Sequence, residues 1–550
     1  MAKGEIMPAV TFNKMDLLNL IGKKLKDEEI EEIVNSFKSN VEEITNEEIK
    51  VELTADRIDM FTVEGFARAI KGLMGIKLNE IKIHDSKITV FKEDVPVRPF
   101  IACAIVKNIK MNDLLIKSLM NAQEILHETI GRKRKRVAIG LHDFDKIRGK
   151  IFYKGVSRNE KFIPLGEKEE MSLIDVLAKT EKGKKYGNLI IEANKWPVFM
   201  DEEGIFSFPP ILNSERTKIT ENTKNIFIDV TGTDKDLVKK ILNILILSFS
   251  ERGCKIEGVK IKGKREEYTP EWVEKSLEIE KDYFTKILGK EFKESEIEKL
   301  LKRMGYKTFF EKDKIIVLVP PYRIDVFSKI DIAEDLAIAF GYNNFEPELP
   351  NVFTIGEIHP IEKISDEIRE VLVGFGFQEI VRPALTNSEK QFRKMLVEEK
   401  ETIRIENPVS ESYTQLRVWL LPDLMEFLSK NTKEPYPQKI FEIGDVVLPD
   451  KNEETLSKNV RKVALAVASS GSYFAEVKRI ALEIAKRLNI EISFEDYKHP
   501  SFIDGRCGKI IHEKKEIGFF GEINPEVLEN FKVYIPVAAL EMELNPNPRE

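Results

Sequence analysis

The sequence has few of the residues that build disulfide frameworks, zinc knuckles or membrane spans. Its 550 residues include three cysteines, Cys103, Cys254 and Cys507, which are too scattered for either use. No apolar run approaches the roughly 20 residues that a helix needs to cross a bilayer, and no signal-peptide pattern opens the chain. P-loop, dinucleotide-glycine, Gly-x-Ser-x-Gly and zincin motifs are also missing. We therefore expect a cytoplasmic protein, unattached to membranes, that carries no nucleotide motif of its own.

By contrast, the sequence is rich in charged residues and long enough for several domains. Charged residues make up 33% of the chain and leave a net charge of −7, so both signs are interspersed. This balance argues against a protein that coats a polyanion, although a basic patch on one domain could still contact nucleic acid. A chain of 550 residues is long enough for several domains with separate cores.

Two stretches of the chain repeat each other. IGKKLKDEEIEEIVNSF (residues 21–37) parallels LGKEFKESEIEKLLKRM (residues 288–304), and an Arg-Ile-Asp triplet follows each copy after nearly the same interval, ending at Asp59 and Asp325. Two related modules of helix, strand and helix are the simplest explanation.

The second copy continues into an acidic helix. A strand over residues 315–319 ends at two prolines, and Ser328 can cap a helix on which three carboxylates share one face at spacing i, i+3 and i+4. A fourth lies in the approach loop, so the predicted cluster comprises Asp325, Asp331, Glu334 and Asp335. Like charges this close need a cation or a basic partner, and an oxygen-only cluster suits Mg²⁺ better than zinc. The alternative is a solvated first turn that complements the helix dipole. In the first copy Ala67 and Arg68 replace two of the acids, so that copy cannot build the same site.

Between residues 98 and 262 the pattern changes to alternating strands and helices, as in an α/β or α+β domain. The run from Arg132 to Arg136 reads as a solvated charged loop, with phosphate contact as the minority interpretation. Polar side chains gather at three strand or loop ends, where they could hold a polar substrate or simply form turns and caps. These groups are His142, Asp143 and Asp145; Asn213, Ser214, Glu215 and Thr217; Asp229, Thr231, Thr233 and Asp234.

The motifs and their order resemble a known family. PPYRIDVFSKIDIAEDLAIAFGY, PPILNSERTKI, FIDVTGTD, IENPVSESYTQLRVWLLPDLMEFLSKN and FGEINPEVL together are similar to the β subunits of phenylalanine–tRNA ligases, in their shorter archaeal and eukaryotic-type form. The resemblance runs from about residue 7 to residue 544 and leaves the opening MAKGEI as an upstream extension. It also implies that the oligonucleotide-binding and anticodon modules of the longer bacterial-type chains are missing.

The resemblance implies an α+β multidomain fold in four parts. Residues 1–90 are expected to form an N-terminal module, 91–265 a tRNA-editing domain of B3/B4 type, 266–346 a Mg²⁺-binding module of B5 type, and 347–550 a catalytic-like domain. The two repeated modules are expected to be similar to winged-helix, DNA-binding-type folds. The last part is expected to be an antiparallel sheet flanked by helices, like that of class II synthetases but without their working motifs.

The family also implies an activity and partners. Its members form α₂β₂ ligases that join phenylalanine to tRNA(Phe) at the expense of ATP, with the synthetic site in the α subunit. The matching acidic residues are Mg²⁺ ligands in the family, which favours the metal interpretation for Asp325, Asp331, Glu334 and Asp335. The second domain is expected to hydrolyse tyrosyl-tRNA(Phe), with pocket candidates Asn213, Ser214, Glu215, Thr217, Thr231 and Gly232. Two alternatives stay open: a free-standing deacylase, and a non-catalytic scaffold for the α subunit.

Overall fold

The computed structural model describes residues 9–350, 352 and 354–544, so the predicted extension over residues 1–6 lies outside the described residues. The chain divides into two compact units, with the division between residues 349 and 350. Both mix helices and strands, which confirms the predicted α/β multidomain character. Among the described residues no helix is long and apolar enough to span a membrane.

The first unit begins with a module built on a three-stranded sheet. Its strands lie in the order β1-β3-β2, and two short helices connect the first two strands along the chain. Ile30 and Val34 of α2 are buried at helical spacing, which fixes this helix against the sheet. The elements are β1 (Ala9–Asn13), α1 (Lys14–Ile21), α2 (Asp27–Ser36), β2 (Asn40–Ile44), β3 (Glu48–Glu52) and α3 (Val63–Leu73).

A ten-stranded sheet forms the centre of the first unit. Its main path runs β12-β11-β10-β7-β4-β14-β5-β13-β6, with β15 paired to β14. The elements are β4 (Ile83–Lys92), β5 (Phe100–Lys107), α4 (Asp113–Glu128), β6 (Val137–Asp143), β7 (Ile151–Val156), β8 (Lys161–Phe162), β9 (Met171–Ser172), α5 (Leu173–Lys179), α6 (Glu181–Tyr186), β10 (Trp196–Asp201), β11 (Gly204–Phe208), β12 (Leu212–Asn213), β13 (Ile226–Gly232), α7 (Lys235–Glu251), β14 (Lys255–Lys262) and β15 (Glu266–Thr269).

Burial explains the sequence of the central strand and helix. Strand β13 is buried along its whole length because β5 and β6 pair with its two edges and other elements cover its faces, and Asp229 and Thr231 are buried with its apolar residues. Helix α7 is capped by the side chain of Asp234, which accepts a hydrogen bond from Leu237 N at 3.1 Å. Eleven residues of α7 are buried, since the helix packs on both the sheet and α3.

The first unit ends with a second module whose element order matches the first. Its sheet has the order β16-β18-β17, equivalent to β1-β3-β2, and its final helix corresponds to α3. The elements are β16 (Lys275–Glu280), α8 (Tyr283–Leu288), α9 (Glu294–Arg303), β17 (Lys307–Phe310), β18 (Lys314–Val319) and α10 (Lys329–Phe340).

The second unit is built on a seven-stranded sheet of order β19-β22-β23-β27-β26-β25-β24, antiparallel except for the parallel pair β19 and β22. Alternate residues of β23 enter two separate cores, one closed by α11 and α14 and the other by α13 and α15. The elements are α11 (Pro360–Gly374), β19 (Gln378–Glu379), β20 (Leu385–Thr386), α12 (Ser388–Gln391), β21 (Gln415–Leu416), α13 (Leu421–Lys430), β22 (Gln438–Pro449), β23 (Ser457–Ala468), α14 (Phe474–Arg487), β24 (Ser493–Asp496), β25 (Phe502–His512), β26 (Lys515–Ile523), α15 (Pro525–Phe531) and β27 (Val537–Glu543).

Candidate functional site

A cavity of about 480 Å³ opens in the first unit between α4, β6 and the segment that connects β11 to β12. Its wall is mainly apolar and includes Leu119, Ile139, Phe208 and Ile211. Two groups of polar side chains interrupt this wall: Gln123, Glu124, Arg134 and Lys182; and Ser207, Asn213 and Asp229. The volume and the chemistry are those of a site for a small, largely apolar ligand that a few polar groups orient.

Asp229 is the buried carboxylate of this wall. It lies in the middle of β13 directly opposite Gly140 of β6, and its side chain is 1% exposed. His142, which is completely buried, places Nε2 2.7 Å from Asp229 Oδ2 and Nδ1 3.1 Å from Thr217 Oγ1. The imidazole therefore fixes the orientation of the carboxylate toward the cavity.

Gly140 is required by this arrangement. A Cβ atom at position 140 would lie 2.1 Å from Asp229 Oδ2 and 2.8 Å from His142 Nε2. These distances are far inside van der Waals contact, so any side chain would displace the carboxylate or the imidazole.

The predicted pocket residues do not all reach the cavity. Asn213 lines it and donates from Nδ2 to Leu141 O at 3.3 Å. Ser214 is buried and donates to Ile163 O at 3.1 Å, whereas Thr217 stands behind His142. Glu215 accepts hydrogen bonds from Gly166 N at 2.8 Å and Lys218 Nζ at 3.1 Å. The hydrogen bond from Gly166 is the main cause of the lowered pKa of the Glu215 carboxyl group.

Thr231 and Gly232 serve the framework of the domain. Thr231 Oγ1 accepts a hydrogen bond from Nε of the buried Arg98 at 3.1 Å, and burial lowers the pKa of that guanidinium to about 10. A Cβ at Gly232 would lie 2.3 Å from Arg136 O, so the strand can approach this loop only with glycine there. Of the six pocket candidates, Asn213 alone lines the cavity.

The basic run beside the cavity is solvated only in part: Arg132, Lys133 and Lys135 are exposed, as the sequence predicts, whereas Arg134 and Arg136 have partners within the domain. Arg134 is buried, donates to Pro210 O and Ile211 O at 3.1 and 3.0 Å, and pairs with Glu124 at 2.5 Å. Arg136 pairs with Asp234 at 2.6 Å. The run therefore supplies structural contacts and part of the cavity wall, because a guanidinium can donate to several carbonyl oxygens at once.

The acidic helix α10 begins after Ser328, as the sequence predicts, but its carboxylates do not form a cation site. Asp331 accepts hydrogen bonds from the backbone of Phe327 and Ser328 at 2.9 and 2.7 Å, and Glu334 pairs with Lys38 at 2.9 Å. The position of Asp331 in the first turn agrees with the alternative interpretation, whereas the ion pair of Glu334 with Lys38 was not part of it.

Arg323 neutralises the two remaining acids. Its Nη2 lies 2.8 Å from Asp325 Oδ2 and 2.5 Å from Asp335 Oδ2, and Tyr306 donates to Asp335 as well. Burial opposes ionisation of Asp325, but the guanidinium outweighs it and lowers the pKa. Burial dominates at Asp335 and raises its pKa.

The predicted Mg²⁺ ligands are therefore divided between basic and backbone partners. Across residues 9–350, 352 and 354–544 no group of three His, Cys, Asp or Glu side chains is placed to hold a metal ion. Mg²⁺ requires close octahedral coordination by oxygen atoms. Asp325, Asp331, Glu334 and Asp335 do not fit this requirement as they stand, since Arg323 and Lys38 already occupy the positions beside three of them.

Comparison with known proteins accounts for most of the chain. Residues 106–278 match the model of the B3/4 domain, residues 277–342 the tRNA synthetase B5 domain, and residues 346–544 the phenylalanyl tRNA synthetase beta chain CLM domain. The phenylalanine–tRNA ligase beta subunit of Pyrococcus horikoshii is 41% identical, over 98% of this chain and 99% of the relative. The chain belongs to the phenylalanine–tRNA ligase β subunit family.

Other members agree with this assignment. The beta subunit of Methanocaldococcus jannaschii is 42% identical over 98% of this chain and its own full length, 100%. A crystal structure of an N-terminal fragment of the phenylalanyl-tRNA synthetase beta subunit from Pyrococcus horikoshii covers 61% of this chain and 100% of that fragment, with a TM-score of 0.59 and 38% identity. In this phenylalanine–tRNA ligase β family member, the cavity lies in the B3/4 match and α10 lies in the B5 match.

Sequence reasoning named His142 and Asp229 among the polar residues at strand ends but did not pair them or place them among the six pocket candidates. His142 and Asp229 were visible as polar residues in two strands, but 87 positions separate them in the sequence. The signal that could have joined them is the glycine at position 140, an unusual choice in a buried strand that pairs with Asp229.

Proposed function

We propose that the chain is the β subunit of a cytoplasmic phenylalanine–tRNA ligase of composition α₂β₂. The reaction converts ATP, L-phenylalanine and tRNA(Phe) into AMP, diphosphate and phenylalanyl-tRNA(Phe), with ATP and phenylalanine bound by the α subunit. The observation that carries this proposal is the match to β subunits over 98% of the chain, together with the three family models.

The four-part division belongs to the same proposal. Residues 1–90 and 266–346 act as winged-helix-like docking modules, and residues 347–550 act as a class II-like scaffold for the α subunit and tRNA. The equivalent sheet orders of the two modules support their common origin. Mg²⁺ enters the reaction with ATP, whose phosphates it polarises and orients. No step is assigned to a metal on α10, because its carboxylates do not fit one.

Residues 91–265 carry a second activity, hydrolysis of tyrosyl-tRNA(Phe). A site that selects phenylalanine rejects an added hydroxyl group only weakly, by about two orders of magnitude, so a second sieve is needed. The cavity suits that task because its wall is apolar and Asp229 and Asn213 present polar oxygen atoms to it. Asp229 can accept a hydrogen bond from the phenol hydroxyl group of tyrosine. The ring of phenylalanine has no such donor, so it cannot make this hydrogen bond.

The hydrolytic step uses water as the nucleophile. The water oxygen attacks the ester carbonyl carbon, the bond to the terminal ribose oxygen breaks, and that oxygen takes up a proton as the tRNA leaves. In this scheme Asp229 binds and orients the tyrosyl ring, and His142 is a positioning residue because it is completely buried behind Asp229.

The first test is co-expression with the α subunit from the same source. We expect an α₂β₂ mass by light scattering, phenylalanylation of tRNA(Phe) only when both chains are present, and release of tyrosine from tyrosyl-tRNA(Phe). Asp229→Asn should slow that release at least tenfold and leave phenylalanylation unchanged. Ser214→Ala is the matched control, because its hydroxyl group is buried but faces Ile163 O instead of the cavity.

The outcomes separate the alternatives. A β chain that never associates with α and leaves its activity unaffected would overturn the ligase proposal. Deacylation by the β chain alone would favour a free-standing deacylase, since the cavity lies within the first unit of this chain. If the wild-type complex charges tRNA(Phe) but does not deacylate tyrosyl-tRNA(Phe), the β chain is better explained as a non-catalytic scaffold for the α subunit.

A further inference from the structure

The second unit contains a cavity of about 390 Å³ with a strongly basic wall. It lies between the β20–β21 ribbon, α12, and the C-terminal ends of α13 and α15. Five of its side chains are basic and two are acidic, an excess of three positive charges in a chain whose net charge is −7. These side chains are Arg382, Lys390, Lys394, Lys430 and Lys532, and Glu389 and Glu426.

The carboxylate of Glu426 forms ion pairs with three of the basic side chains. Glu426 Oε2 lies 2.5 Å from Arg382 Nη2 and 3.1 Å from Lys390 Nζ, and its Oε1 lies 2.9 Å from Lys430 Nζ. Lys390 has a second partner in the buried Asp423, at 2.7 Å. These ion pairs hold the basic groups on the wall and keep their ends near one another.

The rest of the wall leaves donors available. Lys394 and Lys532 form no ion pair among the described residues, and Lys394 Nζ lies 5.5 Å from the ring centre of Phe531. The buried Nε of Arg382 also lacks a hydrogen-bond partner in the described part of the chain. A buried donor without an acceptor is unfavourable, which is consistent with a missing acceptor at this end of the wall.

We propose that this cavity binds a phosphate group carried by a nucleotide, supplied as part of an RNA strand or as a free nucleotide. Guanidinium and ammonium groups together are the usual protein partners of phosphate oxygens. The volume exceeds what a bare phosphate needs, and Tyr413, 45% exposed on the wall, offers a ring for a base to stack on. The inference rests on the proposed function only in taking tRNA(Phe) as the RNA probe.

The test compares two double variants of the full chain. Lys394→Gln with Lys532→Gln removes the two cations without breaking an ion pair of the described residues. Lys451→Gln with Lys514→Gln is the matched control, since both lysines are exposed, neither forms an ion pair among the described residues and neither lines the cavity. Binding of labelled tRNA(Phe) is followed over a salt series, and binding of AMP is measured by calorimetry.

If RNA supplies the phosphate, the first variant binds tRNA(Phe) three- to tenfold more weakly at low salt. The slope of log affinity against log salt then falls by about 1 to 2, since each lost phosphate contact removes about 0.7–0.9. If a free nucleotide supplies it, AMP binding is lost and tRNA binding is unchanged. Affinities for both ligands equal to those of the control variant would overturn the inference.

The same preparations separate this inference from the proposed function. Phenylalanylation with the α subunit is measured for each variant. Normal charging with unaltered tRNA and AMP binding rejects the cavity as a phosphate site and leaves the ligase proposal intact. Absence of α-dependent charging by the wild type rejects the ligase proposal, whereas the AMP measurement still tests the cavity.

Discussion

At the scale of single residues, the B3/4 cavity depends on one glycine that makes room for a buried polar pair. Asp229 and His142 fill the space that a side chain at position 140 would need. Their orientation is fixed by strand pairing on two sides, because β13 is hydrogen bonded to both β5 and β6. A substitution there tests the geometry of the site without removing any of its chemical groups.

We predict that Gly140→Ala destabilises the chain by about 1–3 kcal/mol, the usual cost of overpacking a buried position. Because the added methyl group would push Asp229 away, deacylation of tyrosyl-tRNA(Phe) should fall at least tenfold. Urea unfolding and a deacylation assay measure the two effects. The control is Gly356→Ala, whose methyl group meets nothing within 4 Å. Full activity in Gly140→Ala would show that Asp229 need not keep this position.

The buried His127 should make the stability of the folded chain depend on pH. Burial lowers the pKa of His127 to about 4, and its Nε2 accepts a hydrogen bond from Ile139 N at 2.8 Å. An unfolded chain leaves histidine near pKa 6.5, so the unfolded state binds the proton first as the pH falls. The stability that neutral His127 provides is therefore complete above about pH 6.5 and is lost between pH 6.5 and 4, by up to about 3 kcal/mol.

His127→Gln should flatten the pH dependence of unfolding in that window, because glutamine can accept the same hydrogen bond but does not take up a proton. Denaturation midpoints between pH 7.5 and 4.5 measure this. The exposed His84 provides the control as His84→Gln, which should follow the wild type. Equal slopes for all three proteins would mean that His127 is protonated in the folded state.

At the scale of elements, local pattern gave the repeated modules and the start of α10, since amphipathic spacing and capping residues act over a few positions. Long-range partners could not be predicted in this way. The side chain that pairs with Glu334 belongs to Lys38 in the other module, 296 positions away. Likewise, nothing local marks Arg134 as the buried member of a basic run, because its acceptors are carbonyl groups 76 and 77 positions distant.

The pairing around α10 predicts unequal effects for its two cations. Arg323→Met should cost about 3–5 kcal/mol, because Asp325 and Asp335 would stay buried without their partner. Lys38→Met removes a cation that pairs with α10 from the first module but should cost less than about 1 kcal/mol, since the pair with Glu334 is partly exposed. Chemical denaturation of the two variants provides the comparison, and equal losses would contradict it.

The same pairing predicts the response to magnesium. With both cations in place, Mg²⁺ at millimolar concentration should leave the Tm of the isolated chain unchanged, because a ligand that binds only the folded state would raise it. A rise of several degrees that disappears in Asp331→Asn would show that α10 binds the ion in spite of Arg323 and Lys38. Charging activity is not needed for this measurement.

At the scale of the whole molecule, assembly with an α subunit should use apolar surface that the chain leaves exposed. Among the large apolar side chains that the second unit exposes, Val373, Val381 and Val409 are 57%, 85% and 71% exposed, respectively. These three side chains belong to neither core of the unit. Contiguous exposed apolar surface is typical of protein interfaces.

We predict that Val381→Lys weakens association with the α subunit at least tenfold, because a charge at the centre of an apolar contact must be desolvated without a partner. The Tm of the isolated chain should not change, since the side chain is 85% exposed. Light scattering over a dilution series measures the loss of the complex with the α subunit, and phenylalanylation should fall in parallel at low protein concentration. Leu482→Lys, at a 47% exposed position of α14, is the control for adding a lysine to this unit. Intact complexes for Val381→Lys together with dissociation of Leu482→Lys would instead assign the α interface to the face of the sheet that α14 covers.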